Sequence, residues 1–203
     1  MKTLIIIGGS GHGKVCADIA ELMGYKEILF LDNDESLQEC GGHRVVGHGD
    51  DISSFGPDAE YFVAIGNAET RAKVTARILE QGGRLATLVH PSAVVAKGAA
   101  LGEGSAVMAG AVINPDAVLG RGCIVNTAAS VDHDCNVGDF VHVAVGAHLC
   151  GTVSVGEGTW IGAGATVSNN VSICEGVMLG AGAVVVRDIT EPGTYVGVPA
   201  RRI

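Results

Sequence analysis

Among the seven histidines of this 203-residue chain, His133 stands alone in being flanked by two carboxylates, Asp132 and Asp134. An imidazole so placed can have its tautomer fixed and its basicity raised, which suits it to accepting a proton during group transfer. The plainer reading is a solvated polar turn, which does not by itself account for His between two Asp. A second cluster, Gly8-Gly9-Ser10-Gly11-His12-Gly13-Lys14, follows an apolar run at residues 4–7 and precedes Val15, Ile19 and Leu22 at helical spacing. Glycines there let backbone approach a diphosphate while helix amides point at it. Asp32, with Asn33 beside it, closes the apolar run 28–31 and is placed for a ribose or base. Two familiar motifs narrowly miss. Val15 replaces the hydroxyl residue that a phosphate loop needs for Mg²⁺, which excludes an ATPase, and Gly9 to Gly13 runs one residue short of G-x-G-x-x-G. A nucleotide sugar fits what remains; the alternative is a purely structural strand-to-helix turn.

The elements that must carry these groups change character at His90-Pro91. Before it, strands at 4–7, 28–31 and 61–65 alternate with helices after Gly13 and at 68–81, and the third strand ends in Gly66-Asn67. Such alternation predicts a small parallel sheet whose ligand sits at the carboxyl ends of the strands. After it, every sixth residue from Val95 to Val185 is Val, Leu or Ile, sixteen in succession, and the fifth residue of each hexad is nearly always small. Six is the period of neither a simple strand nor a helix. It suits a short strand and a turn repeated around a solenoid, with one large and one small inward residue per segment. Three hexads per coil give about five coils, stacked at roughly 4.8 Å. The chain therefore reads as two domains, 1–90 and 91–203.

Composition limits the partners. Lys and Arg number 13 against 22 Asp and Glu, a net charge of −9, which argues against nucleic acid or an anionic membrane. Six cysteines occur without a C-x-x-C pair, no apolar segment approaches membrane-spanning length, and no secretory signal is evident. The expectation is a cytoplasmic protein with reduced thiols.

The repeats, as in Leu101-Gly102, Leu119-Gly120, Val155-Gly156 and Leu179-Gly180, together with Gly197-Val198-Pro199-Ala200-Arg201, resemble those of the hexapeptide-repeat acyltransferases. That resemblance implies a left-handed parallel β-helix, a homotrimer, and acetyl-CoA bound between adjacent β-helices. With the Gly-rich turn, Asp32, Ala64-Ile65-Gly66-Asn67, His90-Pro91, Asn126-Thr127 and His133-Asp134-Cys135, the whole chain resembles the bacterial sugar acetyltransferases of the sialic-acid O-acetyltransferase and nucleotide-aminosugar N-acetyltransferase (NeuD/PglD-like) family. The fold so implied is a Rossmann-like βαβ domain that binds the nucleotide sugar, followed by the β-helix that binds acetyl-CoA, with no metal.

The implied reaction is N-acetylation of a nucleotide-linked amino sugar, with a sialic acid hydroxyl as the alternative acceptor. His133 takes the role of general base and Asp134 that of its orienting partner, where the family often has Glu. Gly9, Ser10, Gly11, His12, Gly13, Asp32, Asn33, Gly66 and Asn67 fall to the substrate, with Asn126 beside the catalytic histidine. His142, Gly151, Ala163 and Ala181 fall to the cofactor. Two other readings compete. A zinc enzyme on the same scaffold, as in γ-class carbonic anhydrases, would need converging histidines, but His142 and His148 lie one hexad apart, on different faces of a three-sided coil. A non-enzymatic scaffold with a nucleotide-sugar sensor leaves the His-Asp pair without a role.

Overall fold

The computed structural model describes residues 3–56 and 58–203, and the chain divides into two compact units after Pro91. The first unit runs β1 (Thr3–Ile7), α1 (Gly11–Leu22), β2 (Glu27–Leu31), a short hairpin of β3 (Glu39–Cys40) and β4 (His43–Arg44), then β5 (Glu60–Val63), α2 (Ala68–Glu80) and β6 (Arg84–Leu85). Its sheet is parallel in the order β2-β1-β5-β6. From Leu4 to Ile7 β1 is continuously apolar because both of its faces are covered. Ile5 and Ile7 join Leu31, Tyr61, Val63 and the α2 residue Ile78 in one buried cluster. Leu4 and Ile6 point the other way, where α1 packs and buries Cys16, Ala17, Ile19 and Ala20.

Close approach of α1 to the strand ends requires the Gly-rich turn. A Cβ on Gly13 would stand 2.2 Å from the Gly8 carbonyl oxygen, so no larger residue fits without displacing backbone. β1 has β2 on one side and β5 on the other. The chain thus leaves β1 in opposite directions, which opens a crevice at the carboxyl ends of these strands.

In the second unit two-residue strands stack into three parallel walls with a register of 18 residues. One wall aligns Val95, Ile113, Val131, Leu149, Val167 and Val185. A second stacks strands from Ala100–Leu101 to Ser172–Ile173. The third runs from Ala106–Val107 to Val177–Leu179 and is continued by Gly193–Val196. Two walls thus hold six parallel strands of this unit, giving close to six coils rather than five, because Gly193–Val196 pairs onto a wall beyond the last regular hexad. From Ser105 onward every inward position, large or small, is buried; Val95, Ala99 and Leu101, at the first coil, are partly exposed. Cys123 and Cys135 fill the small inward position. No helix among the described residues is long and apolar enough to cross a membrane.

Ile161 is fully buried in the solenoid, whereas Val118, the residue before an inward Leu, is 49% exposed. Ile161→Ala is expected to lower the unfolding free energy by about 2–5 kcal/mol and Val118→Ala by less than about 1 kcal/mol. Urea unfolding of the two variants beside the parent measures both.

Candidate active site

The crevice of the first unit is a cavity of about 490 Å³. Ile7 and Gly8 after β1, Leu31, Asp32 and Asn33 after β2, and Ala64, Ile65 and Gly66 after β5 line it. Asp32 ties these ends together: Oδ2 accepts from the Gly9 amide at 2.6 Å and Oδ1 from the Asp34 amide at 2.9 Å. Asn33 Oδ1 accepts from the Gly49 amide at 3.1 Å. Ser10 lines the cavity as the N-cap of α1, yet its side chain makes no capping hydrogen bond. The positive end of α1 is therefore left without a side-chain acceptor, a setting that favours an anion. α2 differs, because Asn67 Oδ1 accepts from the Thr70 amide at 2.9 Å and caps that helix. The Oδ1 of that side chain is thus engaged by its own helix.

Four cavity residues carry no signal in the Gly-rich motif: Thr70, Lys73, Val74 and Arg77 form one face of α2. Their helical spacing was readable, but that this face turns toward the strand ends depends on the sheet order. Arg77 pairs with Asp50, another cavity residue. His12 is not among the cavity-lining residues. It is half-buried, its ring nitrogens lie 3.8 and 3.9 Å from Cys16 Sγ, and burial, with the Arg71 charge adding to it, pulls its pKa down to about 4. It is a neutral imidazole at any pH near 7.

On the solenoid, His133 lies at a corner following the wall strand Ser130–Val131. Its Nδ1 is 2.7 Å from Asp134 Oδ2, so the pair expected from the sequence is made. Asp134 achieves this from a left-handed backbone conformation, φ +57°. Asp132 plays a different part: its Oδ1 accepts from the His133 amide at 2.8 Å and from Asn114 Nδ2, one coil earlier, also at 2.8 Å. These two donors hold the Asp132 carboxyl below its usual range. The Asp134 hydrogen bond first, and the Asp132 charge second, raise the His133 pKa. With Nδ1 taken by Asp134, Nε2 is the nitrogen left to take a proton.

Gly151, one coil above His133, is the seat of that ring. A Cβ there would be 2.6 Å from His133 Nε2 and 2.7 Å from Cε1. The remaining expected residues gather at another corner. Asn126 Nδ2 meets His142 Nε2 at 3.1 Å, and buried His142 packs on Trp160 with ring centroids 4.1 Å apart. Exposed Ala163 and Ala181 stack by register just beyond that wall. Within one chain Asn126 therefore meets His142 rather than His133, because the two lie after different walls of the same coil.

This combination defines a class: a small parallel α/β unit with a Gly-rich crevice, followed by a hexapeptide solenoid bearing a His-carboxylate pair. Residues 3–78 match the family model for the PglD N-terminal domain, and residues 152–187 match the bacterial transferase hexapeptide (six repeats). The acetyltransferase domain of PglB from Neisseria gonorrhoeae FA1090 superposes with a TM-score of 0.96 at 42% identity, over 100% of both chains. The perosamine N-acetyltransferase PerB from Caulobacter crescentus, solved with CoA and GDP-perosamine, gives 0.94 at 39% identity over 100% of this chain and 98% of that one. A curated relative, UDP-N-acetylbacillosamine N-acetyltransferase of Bacillus subtilis (strain 168), is 37% identical over 113 residues, 54% of this chain and 52% of that protein. The chain thus spans about half the length of that curated relative. It belongs to the PglD-like family of hexapeptide-repeat sugar acetyltransferases.

Two outcomes follow. Gly151→Ala meets no backbone obstacle, only the His133 ring, which must swing aside. Melting temperature is expected to stay within about 3 °C, while the His133 pKa, followed by NMR, falls toward the ordinary histidine value. For His12, the unfolded chain takes up a proton near pH 6.5 that the folded chain refuses until about 4. Stability is therefore complete above pH 6.5 and declines as pH falls through that window. His12→Gln is expected to remove roughly 2–3 kcal/mol of the loss between pH 7 and 4.5, read as a difference in urea midpoints.

Proposed function

We propose that this protein moves an acetyl group from acetyl-CoA to the amine of a nucleotide-linked amino sugar. The first unit, residues 1–90, binds the nucleotide portion and the solenoid, 91–203, binds acetyl-CoA. The observation that carries this reading is His133, with Nδ1 committed to Asp134 and Nε2 left to act over Gly151. The relatives support it: one is named for N-acetylation of a UDP-linked sugar, another is solved with CoA and GDP-perosamine, and the gonococcal domain is solved with acetyl coenzyme A.

The chemistry follows from the residues. Attack of an amine on a thioester carbonyl forms the C–N bond, releases the thiolate of CoA and leaves one proton too many on nitrogen. His133 Nε2 accepts that proton as the amide forms, and Asp134 steadies the resulting imidazolium. The uncapped amino end of α1, with the glycines beside it, is suited to the diphosphate. Separation of His133 and Gly151 from Asn126, His142, Ala163 and Ala181 at different corners supports a homotrimer, in which one copy's corner is completed by its neighbour's. A cytoplasmic location fits the supply of acetyl-CoA and of nucleotide sugars.

His133→Ala is expected to lower kcat by about 10²–10⁴ with little change in the KM for acetyl-CoA. A variant within threefold of the parent would remove the residue from the mechanism. Because a base must be unprotonated to act, activity should rise with pH through a value above the ordinary histidine pKa. Asp134→Asn, which removes the main cause of the raised pKa, should move that limb to lower pH while reducing the maximum rate. Acetylation of UDP-, GDP- and dTDP-linked amino sugars across pH 5–9 measures each.

A further inference from the structure

Arg71 is the largest fully buried side chain among the described residues, 1% exposed, and the reaction outlined above gives it no part. It lies one turn inside α2. Its Nη1 donates to the carbonyl oxygens of Ile65 and Gly66, both at 2.8 Å. Those two residues line the cavity, and the turn they form joins β5 to the capped start of α2.

A trans peptide points its N–H opposite to its C=O. Drawing the carbonyls of Ile65 and Gly66 toward the guanidinium therefore directs the amides of Gly66 and Asn67 away from it. A single cation fixes two successive peptide planes in a cavity wall, which an apolar residue of similar size cannot do. Burying a guanidinium is costly in itself, so its use in place of an apolar side chain implies a task beyond filling space. The same charge acts on His12, across the Gly-rich turn, and helps to keep it neutral.

We infer that Arg71 is a positioning residue for the nucleotide-sugar cavity: it touches no substrate, but sets the 65–67 turn against which the nucleotide-linked sugar is held. The inference rests on the function proposed above. It assigns the substrate's binding, not the proton transfer, to this residue.

The test uses the full-length protein with Arg71→Lys, which keeps the charge but has one compact ammonium in place of the planar fork. The neutral Arg71→Gln, whose amide NH₂ retains two donors, is made beside it. With the fold kept by circular dichroism, Arg71→Lys should raise the KM for the nucleotide amino sugar about tenfold, leaving the KM for acetyl-CoA within twofold and kcat within about threefold. Arg71→Gln, neutral and too short to reach both carbonyls, should raise that KM at least as much while raising the pKa of His12, followed by NMR.

An unchanged sugar KM in folded Arg71→Lys overturns the proposal. So does an equal rise in both KM values, or loss of the amino-terminal fold in both variants, since each assigns Arg71 to stability alone. If the parent enzyme turns over none of the UDP-, GDP- or dTDP-linked amino sugars, the functional reading itself fails. Parent turnover with an unmoved KM in the variant sinks only the role of Arg71.

Discussion

The 18-residue register of the solenoid is the constraint on which its chemistry rests. Inward residues alternate large and small and are buried almost throughout, so a shift of one residue in any hexad would turn core side chains outward. With the inside fixed, the outside is fixed as well. Each outward or corner residue stands on the one eighteen positions before it, and side chains become columns: Asn114 under Asp132, Ser130 under His148, His142 under Trp160. The imidazole ring of His133 lies against the bare backbone of Gly151 for the same reason. Placing a functional group on such a scaffold means choosing its residue number modulo eighteen and the size of its neighbour one coil away.

The two histidines that matter most show how environment decides the same side chain's chemistry. His12 is enclosed beside a buried guanidinium, and both influences disfavour its charged form. His133 is exposed, paired with one carboxylate and next to another, and its charged form is favoured. One ring is kept from taking a proton and the other is prepared to take it. The local triplets Gly11-His12-Gly13 and Asp132-His133-Asp134 already hint at this division. Its first half, however, depends on Arg71, which lies some sixty residues away in sequence.

How much was legible follows from the range of each interaction. Sixteen hexads, the apolar run before the Gly-rich turn and the helix after Asn67 are periodic or local, and the elements they imply are present. The β3–β4 hairpin and β6 have strands of two residues, too short to alternate, and the sequence offers no pattern for them. At the candidate site, the His133–Asp134 pair is a nearest-neighbour contact and was readable. The seat at Gly151 required knowing that eighteen residues bring a glycine over the ring. The Asn126–His142 contact differs from expectation because sixteen residues bring those two to one corner, whereas the seven between Asn126 and His133 do not. Asn67 falls to the substrate by resemblance alone, and its capping of α2 shows only once the start of that helix is known. Lys73 and Arg77 gain their meaning only from the sheet order, which no single segment encodes.

Asp134 adopts φ +57°, where a residue with a Cβ is normally disfavoured. Asp and Asn tolerate that region better than longer side chains do, since a short polar group can bond locally. Asp116, Thr152 and Asn170, eighteen residues apart in the same column, adopt it as well, so the bend belongs to the solenoid and Asp134 makes use of it. At this corner the tight left-handed bend carries the short carboxylate to the ring. A turn that recurs every eighteen residues for the sake of stacking thus also aims a side chain, and chemistry is placed by a bend that the fold makes anyway.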